Sequence, residues 1–136
     1  MKTTRLGRFG NEVSVVGLGG EGVLRTYNRD EEAQSVIHEA VRQGITYCDC
    51  ARVYSDSERY YGSMWKDNPE LRGSIFQTSK SASRDRDDAL RDLSASLQRL
   101  GTDYLDLWQI HVLMPVNTVE GVIGGFLTET LPKAKA

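Results

Sequence analysis

Hydrophobic positions recur along the chain with a period that alternates between about 3.6 and two residues. In "DEEAQSVIHEAVRQG", Ala33, Val36, Ile37, Ala40 and Val41 follow the i, i+3, i+4, i+7, i+8 spacing of one helix face. Asn28 or Asp30 can cap its start, acids fill its first turn and Gly44 stops it. "DRDDALRDLSASLQRLG" predicts a second helix, with Leu90, Leu93, Leu97 and Leu100 on one stripe and Gly101 as its stop. A shorter helix is expected through Met64 and Trp65, opened by Ser55 and Glu58 as an S-x-x-E capping box. Between the helices, "ITYCD", "SIFQTSK" and "YLDLWQIH" read as strands. Upstream, "TTRL" and "EVSVV" flank the turn-rich "GRFGN" as a hairpin, and "VSVVGLG" reads as a short buried strand ending in glycine. Strands alternating with helices imply parallel strands joined by crossover helices. An open doubly wound sheet and a barrel both satisfy this pattern.

The glycine run bears on the choice. "GLGGEG", Gly17 to Gly22, fits the G-x-G-x-x-G fingerprint of a dinucleotide fold. In that fold the helix begins inside the motif, so that its N-terminus meets the pyrophosphate. Here the helical pattern begins near Asp30, after an intervening loop, and the acid expected ~20 residues on comes late, at Asp49. The glycines are better read as letting a strand-end loop approach a ligand closely.

A stronger signal is a spacing. Asp49, Lys80 and His111 each stand at the C-terminal end of a predicted strand, 31 residues apart in both intervals. Adjacent strands lie ~4.8 Å apart, so the three side chains converge on one edge, the edge that carries catalytic groups in barrels. Tyr54 follows Asp49 in the loop leaving that edge. Taken singly, Asp49 could cap a helix, Lys80 could be a solvated lysine, His111 a satisfied strand-end histidine and Tyr54 a packing aromatic. Together they form a set that can give a proton to an oxygen gaining negative charge. A free tyrosine, with a pKa of about 10, holds its proton at neutral pH. A neighbouring ammonium favours the phenolate and eases the transfer. Asp49 would keep Lys80 charged and oriented, and His111 could hydrogen-bond a substrate oxygen. His38 and Trp108 are assigned to packing.

Composition adds mainly exclusions. The 136 residues point to one domain. With 26% charged residues and a net charge of −2, nothing suggests a nucleic-acid groove or a membrane surface. The N-terminus lacks the apolar block of a signal peptide, so a cytoplasmic location is expected. Cys48 and Cys50 share a strand face ~6.6 Å apart, poor geometry for a disulfide. They read as reduced, buried thiols, and no second ligand pair exists to make a metal site.

On these residues the chain closely resembles the aldo-keto reductases. "RLGRFGNEVSVVGLGGEG" is similar to the family's N-terminal hairpin and first barrel strand. "GITYCDCARVYSDSERYYG" resembles its G-I-x-Y-F-D-T-A-x-x-Y-G-x-S-E segment. "IFQTSKSASRD" carries the family lysine, and "SLQRLGTDYLDLWQIH" resembles the segment that ends in its histidine. The resemblance is continuous from about Thr3 to His111. It implies an α/β fold, the N-terminal half of a (β/α)8 TIM barrel with an N-terminal hairpin, ending after about four strand-helix units. Residues 1–136 are then a single partial reductase domain, with the hairpin and first strand in 1–16 and a divergent tail in 112–136.

The resemblance also implies NADPH-dependent reduction of aldehydes or ketones. Tyr54 would be the general acid, Lys80 its activator, Asp49 the partner of Lys80, and His111 the group that orients the carbonyl. Gly19, Gly20, Glu21 and Asp49 would lie near the cofactor. The departures are Cys48 and Cys50 in place of an aromatic and a threonine, Ser55 where glycine often follows the tyrosine, and Pro132 inside a would-be helix. The length matters most: a full barrel takes ~250 residues, and in relatives the second half carries most of the grip on the adenosine phosphate. Three readings stay open: a reductase, an inactive fragment, and a non-catalytic NADP(H)-binding or regulatory protein of the same fold. Unpaired strand edges at the first strand and at "YLDLWQI" lead to an expectation of self-association.

Overall fold

The structure, a computed structural model, describes residues 1–8 and 10–112 together with Thr128. In chain order the elements are β1 (Thr3–Leu6), β2 (Asn11–Ser14), β3 (Leu18–Gly19), a 3-10 turn at Gly22–Leu24, α1 (Asp30–Arg42), β4 (Tyr47–Asp49), α2 (Ser57–Asp67), α3 (Pro69–Arg72), β5 (Phe76–Ser81), α4 (Arg86–Leu100) and β6 (Leu107–Ile110). Strands β3 to β6 form one parallel sheet in sequence order, while β1 and β2 form a separate antiparallel hairpin. A doubly wound sheet reverses its strand order at a switch point. This sheet never reverses, which is the arrangement of a barrel arc. The predicted tail lies outside the described residues from 113 onward, Thr128 excepted.

The hairpin anchors at the end of the sheet away from the predicted site. Ser14 and Thr46 exchange two hydrogen bonds at 2.9 Å, from each backbone N–H to the other's hydroxyl, at the entrance to β4. Only Leu18 and Gly19 of "VSVVGLG" pair as β3, and Val15 and Val16 are half-exposed. The apolar run therefore spans a bridge between two sheets instead of one buried strand.

The core lies between the sheet and the helices. Leu24, Ala33, Ile37, Cys48, Cys50, Tyr60, Tyr61, Met64, Trp65, Ile75 and Leu100 form one buried cluster. Both thiols are free and fully buried in it. Strand alternation then turns Asp49 to the opposite face. α2 and α4 approach closely at Gly62, where an added Cβ would overlap the carbonyl oxygen of Arg99.

Three expectations about the helices need correction. Ser55 does not cap α2, because it lies at φ +46°, two residues before the helix, whose N-cap is Asp56. Glu58 turns inward instead, where its carboxylate accepts from Ser79 Oγ at 2.7 Å. Neither Asn28 nor Asp30 caps α1: Arg29 holds the N-cap position, and its backbone N–H donates to Tyr60 Oη at 2.9 Å. The cap is thus borrowed from a neighbouring helix, beyond the reach of local sequence. The leucine stripe of α4 is buried only at Leu100, because the packed face is centred on Ala89, Ser96 and Leu100. The termini of α4 follow the sequence closely. Asp85 accepts from the Asp87 and Asp88 N–H groups at 2.9 and 3.1 Å, and Gly101 takes the left-handed conformation at φ +61°.

Candidate active site

Three strand ends and one loop build the site. Asp49 closes β4 opposite Thr78, Lys80 lies on β5 opposite Gln109 of β6, and His111 follows β6 directly, its N–H bonded to the Ser81 carbonyl at 2.8 Å. The loop carrying Tyr54 continues the pairing along β5: Cys50 N–H donates to the Thr78 carbonyl at 3.2 Å and Arg52 N–H to the Lys80 carbonyl at 3.0 Å. Beyond Tyr54 the chain turns through the left-handed Ser55, whose carbonyl accepts from the Arg99 guanidinium at 2.6 Å. The outer helix α4 therefore holds the one strained residue next to the tyrosine. Arg84 clamps the other side, donating to the carbonyls of His111 and Val112 at 2.7 and 2.6 Å.

Asp49, Tyr54, Lys80 and His111 come together. Lys80 Nζ donates to Asp49 Oδ2 at 2.6 Å and to the Cys50 carbonyl at 2.8 Å, and it lies 4.8 Å from the centroid of the Tyr54 ring. Tyr54 is 8% exposed. Its hydroxyl lies 3.3 Å from His111 Nε2, and the two rings meet edge to face at 5.2 Å. Burial, then the Lys80 ammonium, hold the His111 imidazole below its ordinary value, opposed by the carboxylates of Asp49 and Glu21. The fold thus favours a neutral imidazole beside the tyrosine. His111 Nδ1 is buried with no hydrogen-bond partner among the described residues.

The glycine loop divides into two environments. Space in front of Gly20 is taken by protein, since an added Cβ would meet the Asp49 carbonyl oxygen at 2.5 Å and the Cys50 Cα at 2.8 Å. Gly19, paired with Asp49 across the sheet, faces open space. Glu21 is exposed and pairs with Arg25 at 2.6 Å.

Two contributors escaped the sequence reading. Thr78 Oγ1 donates to Asp49 Oδ1 at 2.9 Å, fixing the second carboxylate oxygen. Strand alternation could have found it, since Thr78 and Lys80 share a face of β5. Arg25 places its guanidinium carbon 5.4 Å from the centroid of the Tyr54 ring, and no periodicity signals that approach. Burial pushes the Cys48 thiol up to about 12 and the Cys50 thiol in the same direction, which keeps both sulfurs protonated. Among the described residues no group of three His, Cys, Asp or Glu could hold a metal ion, and no helix is long and apolar enough to cross a membrane.

The arrangement comprises a hydroxyl that can release a proton, an imidazole beside it, and an ammonium locked in place by a carboxylate. The profile of the Aldo/keto reductase family matches residues 15–131, running past the point where the sequence resemblance thins. A Bombyx mori aldo-keto reductase, AKR2E4, is 31% identical over 108 residues, covering 75% of this chain and 35% of that protein. An NAD/NADP-dependent indole-3-acetaldehyde reductase of Schizosaccharomyces pombe is 37% identical over 79 residues, covering 58% of this chain and 27% of that protein. The crystal structure of a thermostable aldo-keto reductase in complex with the inhibitor epalrestat superposes with a TM-score of 0.79 at 34% identity, covering 98% of this chain and 51% of that one. The chain spans about a third of the first relative and about half of that solved structure, and its sheet is the N-terminal arc of their TIM-barrel fold. By the extent of these matches, the chain belongs to the aldo/keto reductase family of oxidoreductases.

Proposed function

We propose that this sequence supplies the acid–base machinery of an NADPH-dependent reductase of small aldehydes or ketones, with Tyr54 as the general acid. The observation that carries the reading is the Tyr54 hydroxyl 3.3 Å from His111 Nε2, with the Lys80 ammonium held beside the ring by Asp49. A substrate carbonyl oxygen sits beside Tyr54 Oη and His111 Nε2, within hydrogen-bond reach of both. Tyr54 gives its proton to that oxygen as negative charge develops. The Lys80 ammonium stabilises the phenolate left behind, and Asp49, itself anchored by Thr78, keeps the ammonium in place. His111, favoured as neutral imidazole, hydrogen-bonds the carbonyl oxygen and orients it.

The chain's residues fit the nicotinamide end of the cofactor. Gly19 leaves bare backbone with open space in front of it, directly beside Asp49, and a flat ring can lie against such a surface. When bound, NADPH supplies the hydride that reduces the carbonyl carbon. The names of relatives agree in kind, one being an indole-3-acetaldehyde reductase that uses NAD or NADP.

The test is NADPH oxidation by the protein bearing this sequence, with an aldehyde as co-substrate, run beside a cofactor fluorescence titration. Tyr54→Phe is expected to lower kcat by about 10²- to 10⁴-fold, with NADPH affinity changed by less than about twofold. A Tyr54→Phe protein within tenfold of the wild-type kcat removes the acid role. Tight NADPH binding with no turnover in the wild type supports the non-catalytic alternative instead.

A further inference from the structure

We propose that Arg25 makes this site selective for carbonyl compounds that also carry a carboxylate. The inference rests on the reductase reading above and adds the substrate class. Its basis is the position of the guanidinium, 5.4 Å from the centroid of the Tyr54 ring and half-exposed at the rim.

The charges around that ring are used differently. Lys80 is consumed internally, by Asp49 Oδ2 at 2.6 Å and the Cys50 carbonyl at 2.8 Å. Arg25 gives one nitrogen, Nη1, to Glu21 Oε1 at 2.6 Å. A guanidinium has five N–H donors in a planar fork, so donors remain for a ligand. The Glu21 pair is itself open to solvent, with the two side chains 59% and 47% exposed. Such pairs are weak and readily exchanged. Glu21 thus holds the guanidinium over the ring in the absence of ligand without locking it away, and a substrate carboxylate can replace Glu21 or share the fork with it.

The reach is suitable for a small molecule. A carbonyl oxygen accepting from Tyr54 Oη at about 2.7 Å lies within about 11 Å of the guanidinium carbon. A substituted benzaldehyde or a short oxo-acid spans that gap. One planar guanidinium, already partly balanced by Glu21, matches a monoanionic carboxylate in shape and charge, and a bidentate contact would fix the substrate's orientation as well as attract it.

The test compares two aldehydes of nearly the same shape, para-formylbenzoate and its methyl ester, with NADPH and the full chain. The ratio of kcat/KM, acid over ester, is expected to exceed about ten in the wild type. In Arg25→Met it should fall to about one, and in Arg25→Lys part of it should return, because charge is kept and the fork is lost. An equal rate on the two compounds in the wild type, or a preference that survives Arg25→Met, overturns the proposal. If neither aldehyde is reduced, the reductase reading fails by itself. Benzoate titrated against the ¹⁵N-labelled arginine side chains then decides the site. A shifted Arg25 resonance, with affinity at least tenfold weaker in Arg25→Met, upholds it, and an unshifted resonance or equal affinity in the variant overturns it.

Discussion

Replacing Gly62 by alanine sets two effects of opposite sign against each other. Gly62 lies inside α2, where alanine should be favoured by about 1 kcal/mol on helix propensity alone. Its added methyl, however, would overlap the carbonyl oxygen of Arg99 and sit 3.0 Å from two backbone carbons of Leu100. These are backbone atoms near the end of α4, so no flexible side chain can swing away. Relief requires moving α2 and α4 apart by roughly 1 Å, which forfeits a quarter to a half of each contact's attraction. That interface includes the fully buried Tyr61 and Leu100. Overpacking of this kind costs about 3 kcal/mol at the upper end of the usual range. Net of propensity, Gly62→Ala should destabilise by about 2 kcal/mol and lower Tm by about 6–8 °C. The shift would also pull Arg99 from the Ser55 carbonyl, so turnover should fall with stability. Thermal and urea unfolding by circular dichroism measure the effect, with Gly73→Ala as control. Gly73 has φ −67° and nothing within 4 Å of an added Cβ, so the control should change little. A Gly62→Ala protein that melts at or above wild type would show that propensity outweighs the close approach, and the packing argument would be wrong.

Three further outcomes are expected. Cys48, held near 12, should present a thiolate fraction of only about 10⁻⁴ at pH 8, so a thiol reagent should label the native protein at the rate of unfolding; rapid labelling of folded protein would contradict this. His111 should titrate below 6.5 by NMR; its neutral form then contributes stability that is complete above 6.5 and is lost as pH falls through the lower folded value, so a histidine titrating above 6.5 at this position would reverse the sign. The outer edges at β3 and β6 have no strand partner among the described residues, so the 136-residue chain should self-associate in size-exclusion with light scattering; a stable monomer at high concentration would refute this.

Much of the site was legible because strand ends are a one-dimensional signal. The spacing of Asp49, Lys80 and His111 maps onto a parallel sheet without any knowledge of distant contacts, and the observed register brings them to one edge. What failed were judgements that depended on a neighbour far along the chain. Ser55 looked like a cap, yet its carbonyl is held by Arg99, 44 residues away, and it turns left-handed before the helix. Tyr60 caps α1 from another helix, 31 residues away. The stripe Leu90–Leu93–Leu97 has helical spacing, but spacing cannot say which side of a helix meets the sheet.

By itself the sequence determined the alternation of strands and helices, the residues at strand ends and the stops at Gly44 and Gly101, because each depends on backbone preference or on neighbours within a turn. Only the tertiary structure decided that the sheet runs unreversed, as a barrel arc does, that Gly20 and Gly62 are needed for close backbone packing, and that Arg25 leans over Tyr54. Those facts depend on which surfaces meet when the chain closes on itself, and contacts between residues tens of positions apart leave no periodic trace along it.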